Sequence, residues 1–219
     1  MGMTPTLTAA LAGVPLGIQR QGIWAGRRQL FIRFAGPAET ATMYSSEALA
    51  RELIRGVERS VVHSICIAGR DALANGDYLL AALRQVAGKV PVMADTDGQR
   101  PEAIAVLHTY VQLVQVTLEP PVQAVSLDRA METIRAAARL GCARGVVIAG
   151  TDDTSDADYL QIVEQTHTAS AEAAVVIHPG ASAERGHLDR RWSALMEHAM
   201  GRHADVRMAY RLSGPATVR

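Results

Sequence analysis

Short Val- and Ile-rich runs alternate regularly with stretches of helical spacing, and this alternation most narrowly limits the fold. The apolar runs are QLFIRFA (29–35), VVHSICIA (61–68), VPVMAD (90–95), LVQVTLE (113–119), GVVIAG (145–150), AAVVIHP (173–179) and VRMAYRL (206–212). Each has strand length and strand composition. Helices are predicted between them, over 45–59, 76–88, 100–110, 126–141, 156–169 and 188–202. The clearest runs from Ser126, a cap, to Gly141, with Leu127, Met131, Ile134 and Ala138 on one face. Strand–helix alternation predicts right-handed βαβ units and a parallel sheet. Nearly continuous apolar strands require cover on both faces, or a sheet curled around its own core. Six or seven units are too few for a complete eight-stranded barrel. A partial open barrel and a doubly wound sheet both remain.

The 219 residues suit one domain, with residues 1–14 expected as a loosely ordered N-terminal extension. Lys plus Arg number 22 against 22 Asp plus Glu, so no charge excess points to nucleic acid or to an anionic membrane. No apolar run approaches the roughly 20 residues that span a bilayer. Cys66 and Cys142 make no disulfide framework, and a cytoplasmic setting is expected.

In parallel α/β folds, chemistry collects where strands end. That rule selects the loop 36–45, Gly69-Arg70-Asp71, Asp95-Thr96-Asp97-Gly98, Glu119, Thr151-Asp152-Asp153, His178 and Arg211-Leu212-Ser213. The plainer role of Asp152, Asp153 and Asp156 is to cap the helix that follows.

These residues bring a family into view. IQRQGIWAGRRQLFIRFAG (18–36) resembles the opening of 7-carboxy-7-deazaguanine synthases, radical S-adenosylmethionine enzymes of the queuosine pathway. Their pattern is I-Q-G-E-G, then G, then F-I-R-x-x-G-C. Ile18, Gln19, Gly22, Gly26, Phe31, Ile32, Arg33 and Gly36 match it in register. Further along, ICIAGRDALA, ADTDGQ, VQVTLEPP, VVIHPG and VRMAYRLSG stand where that family has its later strand ends. The resemblance implies a single-domain partial (β/α)6-type barrel with six to seven parallel strands. It also implies a homodimer, or a heterodimer with a related protein. With Lys89 the only lysine and alanine abundant, the composition reads as that of a GC-rich bacterial genome.

The departures from the family are as informative. Its three cluster cysteines fall on Pro37, Ala41 and Tyr44. Proline and alanine offer no ligand, and one tyrosinate cannot replace three thiolates. No iron–sulfur cluster is therefore expected, nor reductive cleavage of S-adenosylmethionine. The glycine-rich segment that cradles that cofactor reads Gly69, Arg70, Asp71, Ala72, which disfavours the cofactor itself. The metal-bearing Asp-Thr falls on Ser45-Ser46, where Ser46 is expected as a helix cap, and no metal is expected.

What remains is a barrel mouth with new polar residues. Asp71, Asp95, Asp97, Glu119 and His178 are the candidate acid–base groups, as in a non-radical lyase or transferase. Gln21, Glu39, Tyr44, Gly69, Arg70, Thr96, Arg211 and Ser213 are the candidate ligand contacts. Met43 and Tyr44 are expected to fill part of the vacated cluster space. The expected ligand is a small molecule resembling a pterin, a purine or S-adenosylmethionine. The alternative is a non-catalytic relative that pairs with or regulates an active partner.

Overall fold

Each of the seven apolar runs forms a strand, and each intervening stretch forms a helix. The computed structural model describes residues 7–69, 71–180 and 190–212. In chain order the elements are β1 (Thr8–Gly13), β2 (Leu16–Ile18), β3 (Arg28–Phe34), β4 (Thr42–Ser45), α1 (Ser46–Arg59), β5 (Ser64–Ala68), α2 (Gly76–Val86), β6 (Val92–Thr96), α3 (Pro101–Leu107), β7 (Leu113–Leu118), α4 (Ala124–Arg139), β8 (Ala143–Ala149), α5 (Asp156–Ala169), β9 (Ala174–His178), α6 (Arg190–Met200) and β10 (Val206–Met208). No helix among the described residues is long and apolar enough to cross a membrane.

One sheet holds all ten strands, in the order β10-β9-β8-β7-β6-β5-β3-β1-β4, with β2 also paired to β3. From β3 to β10 every pairing is parallel. The order never reverses along this run. Right-handed crossovers that all advance in one direction place every helix on the same face. A doubly wound sheet, whose order reverses, is thereby excluded.

Side-chain parity shows the same layering. Leu30, Ile32, Ile65, Ile67, Val114, Val146, Ile148, Val175 and Ile177 pack against the helices. The alternate residues Phe31, Cys66, Ala68, Met93 and Leu113 face the other way, where Ile23 and Trp24 cover them. The strands read as continuously apolar because helices cover one face and the β2–β3 hairpin covers the other.

The hairpin tip also reveals curvature. Adjacent residues Gln19 and Arg20 touch Asp95 on β6 and Leu212 beyond β10. In a flat sheet those strands would lie four spacings apart, about 19 Å. The sheet therefore curls around the hairpin. It does not close, because β10 and β4 remain at its edges.

Three expectations need correction. Residues 8–13 are not a loose extension: β1 pairs antiparallel with both β3 and β4, and Ala9 and Leu11 are buried. Residues 42–45 are strand rather than loop. Three helix N-termini also differ from expectation. Ser45, not Ser46, caps α1, accepting from the Ala48 N–H at 3.1 Å. Ser126 lies inside α4, which begins at Ala124. Ser155, not an aspartate, caps α5 in a capping box with Asp158. Replacing Ser45 by alanine is expected to cost about 1 kcal/mol of unfolding free energy in urea titration, the usual value of such a cap.

Candidate functional site

The parallel strands β3 to β9 end on one side of the sheet, and a cavity of about 610 Å3 opens there. Gln21, Gly69, Asp95, Thr96, Asp97 and Glu119 all line it, joined by Gln99, Thr117, Gln123 and Ser126. A second cavity of about 320 Å3 adjoins it, lined by Gln19, Arg20, Phe31 and Arg211. Gln21, Ala68 and Asp95 line both, so the two are compartments of one mouth.

Asp95 stands at the junction. Period-two alternation places it on the hairpin side of β6, while Thr96 takes the helix-side parity of Ala94 and is buried. Its Oδ1 accepts from the Thr117 hydroxyl at 2.8 Å, and its Oδ2 accepts from the Gln19 amide at 3.3 Å. Burial pushes the carboxyl above the ordinary aspartate range, and these hydrogen bonds only partly oppose it. The Gln115 amide nitrogen also favours the charged form, yet it has no hydrogen bond of good geometry.

A raised carboxyl gives a signed expectation. The folded state holds this proton more tightly than the unfolded chain does. The contribution to stability is therefore complete below the ordinary aspartate range and is lost as pH rises through the folded-state value. Asp95→Asn is expected to raise the melting temperature at neutral pH relative to wild type. The advantage should vanish in acid, and denaturation across pH measures it.

Asp97 lies just past β6 and turns the chain: its Oδ1 accepts from the Gln99 N–H at 3.0 Å. Asp95 and Asp97 therefore share the cavity without sharing a strand. Gly98 follows with φ +77°, and a Cβ there would lie 2.7 Å from the Ala130 Cα. Gly69 has φ +110° and passes close to the Phe34 carbonyl, 2.8 Å from where a Cβ would sit. Only glycine fits either turn.

Other expected site residues lie elsewhere. Asp71 is held by Arg100 through two hydrogen bonds, at 2.9 and 2.8 Å, and lines neither compartment. Glu39 folds back on its own loop, accepting from Arg33 at 2.6 Å and from the Gly36 N–H at 2.9 Å. Pro37 and Ala41 are exposed. Tyr44 packs against the helix-side core from β4. Met43 is exposed and fills no vacated space. Arg70 and Ser213 lie outside the described residues.

His178 is the largest correction. It is fully buried and bonded at both ring nitrogens. Its Nε2 accepts from the Gly22 N–H at 3.0 Å, and its Nδ1 donates to the Ala209 carbonyl at 2.6 Å. That pattern requires the neutral Nδ1–H tautomer and ties the hairpin to β9 and to the segment after β10. The group is a structural pin rather than a proton-transfer group.

Sequence reasoning missed Gln19, Arg20 and Thr117. The polar Gln115 and Thr117, two apart in an apolar run, were a readable sign that one face of β7 meets polar company. Among the described residues, no three His, Cys, Asp or Glu side chains converge as a metal site. Cys66 is buried inside β5, and Cys142 is buried beside the opposite end of β8 from the mouth. Burial pushes both thiols up. Set against known proteins, the chain matches no family model and no curated sequence.

Proposed function

We propose that the chain is a cluster-free partial (β/α)6-type barrel of the 7-carboxy-7-deazaguanine synthase kind, whose mouth binds a small molecule. The observation that carries this reading is the joined mouth itself. Residues from the hairpin, β6, β7 and the segment after β10 meet around the half-buried Asp95. The unreversed strand order and the curl around the hairpin support the barrel. Reductive radical chemistry is not part of the proposal, because Pro37 and Ala41 supply no thiolate.

The ligand proposed is pterin-, purine- or S-adenosylmethionine-like. Carboxylates and amides at the rim suit the donor-rich edges of such rings, and Gly69 admits close approach. Asp95 is the group best placed for acid–base work, since its carboxyl is raised toward neutrality and reaches both compartments.

Thermal unfolding with pterins, purine nucleotides and S-adenosylmethionine tests this. A ligand at about one hundred times its dissociation constant stabilises by about 2.7 kcal/mol. The expected result is a rise with at least one ligand, reduced in Glu119→Ala. No rise with any of them, or an equal rise in the variant, contradicts the reading.

A second reading, a non-catalytic partner in a homodimer or in a heterodimer with a related protein, draws on β4. This edge strand presents an exposed Met43 beside an open row of backbone groups. Light scattering across concentration tests for the homodimer, and co-purification with a cysteine-bearing relative tests for the heterodimer.

A further inference from the structure

The two compartments of the mouth carry opposite charge. Asp95, Asp97 and Glu119 line the larger one, with no cationic side chain from the described residues. Arg20 and Arg211 line the smaller one, with Asp95 at the shared boundary.

Eight acids elsewhere among the described residues stand in ion pairs. Glu39, Glu52, Glu58, Asp71, Glu132, Asp156, Glu172 and Asp205 each sit within 4 Å of an arginine or lysine. Asp95, Asp97 and Glu119 form no ion pair among the described residues. Gathered acids raise the local negative potential and favour a positively charged guest. On the other side, the Arg211 Nε is buried and has no hydrogen-bond partner among the described residues. A buried guanidinium nitrogen without an acceptor is costly. Arg20 and Arg211 both line the smaller compartment, so their guanidinium groups suit an anionic ligand group seated there.

We propose that the mouth takes an organic cation that also bears a carboxylate or phosphate. Its ammonium or guanidinium group lies against Asp97 and Glu119, and its anionic group lies against Arg20 and Arg211. This rests on reading the mouth as a ligand site and narrows the ligand by charge. A neutral heterocycle would satisfy neither end.

Backbone amide chemical shifts of the whole chain test the proposal, with a series of ω-guanidino carboxylates of increasing chain length as probes. Agmatine, which lacks the anion, and glutarate, which lacks the cation, are the comparisons. At least one guanidino carboxylate is expected to shift amides around Asp97 and Arg211. It should bind about tenfold more tightly than either comparison, in line with the worth of a charged hydrogen bond.

Glu119→Gln should weaken the guanidino carboxylate and agmatine but not glutarate. Arg211→Gln should weaken the guanidino carboxylate and glutarate but not agmatine. Urea unfolding of each variant confirms that the fold is kept. Tighter binding of glutarate, or variants that affect all three probes alike, overturns the proposal. So does binding of a neutral purine or pterin without any guanidino carboxylate, which leaves the ligand site itself standing. Silence from every compound removes both.

Discussion

Replacing His178 by alanine is expected to destabilise the protein by about 4 kcal/mol, since two buried hydrogen bonds are lost and each orphaned partner costs about 1–3 kcal/mol. The partners left behind are the Gly22 N–H and the Ala209 carbonyl. The imidazole also leaves a hole in the fully buried layer between sheet and hairpin. Urea unfolding measures the loss. The result separates two roles for one residue. A proton-transfer group at a strand end could be removed with little loss of stability. A pin that joins the hairpin, β9 and the segment after β10 cannot.

The second large effect falls on the other end of the same pin. Gly22 has φ +82°, and a Cβ there would collide with the Gln115 Oε1. That oxygen already accepts from the Ile23 N–H at 2.9 Å. Gly22→Ala therefore brings left-handed backbone strain of about 1–2 kcal/mol and displaces a partly buried hydrogen bond worth about 1 kcal/mol or more. A loss of about 3 kcal/mol is expected in urea unfolding. Gln115→Ala in the same chain makes room for the methyl, so the double variant should lose less than the two single losses added together. Gln19, Arg20 and Gln21 reach the mouth from this hairpin. Ligand affinity should therefore fall alongside stability in Gly22→Ala.

Both predictions concern a part of the fold that local pattern conveys poorly. The seven parallel strands were legible because Val and Ile runs such as GVVIAG and AAVVIHP have few other uses in a chain of this kind. The helices were legible from spacing. Leu127, Met131 and Ile134 do face the core, although Ala137 is buried more completely than Ala138.

β1 escaped notice because TAALAG is half alanine, a weak strand former. Its alternation of buried Ala9 and Leu11 with exposed neighbours is a tertiary consequence of pairing with β3 and β4. The curl of the sheet was equally hidden, since it depends on Gln19 and Arg20 meeting residues far along the chain.

The site was legible in outline. The rule that function gathers at strand ends selects Asp95, Asp97 and Glu119, and all three line one cavity. The same rule selects His178, Asp71 and Glu39 with equal force. Nothing local distinguishes a carboxylate that faces a cavity from one that folds back onto Arg33 or Arg100. The loop at Pro37 and Ala41 shows the same limit. A strand-end position selects it, but Pro37 and Ala41 are exposed and line neither compartment of the mouth.

The central claim is that the joined cavities around Asp95 are a ligand site. A crystal structure of protein purified straight from lysate, then soaked with the strongest binder from the unfolding screen, tests it most directly. The account predicts a small molecule within hydrogen-bond reach of Asp95, spanning the Glu119 side and the Arg211 side of the mouth. A binder seated instead in the cavity bounded by Leu83, Lys89 and Tyr110, at the opposite end of β6, would contradict it.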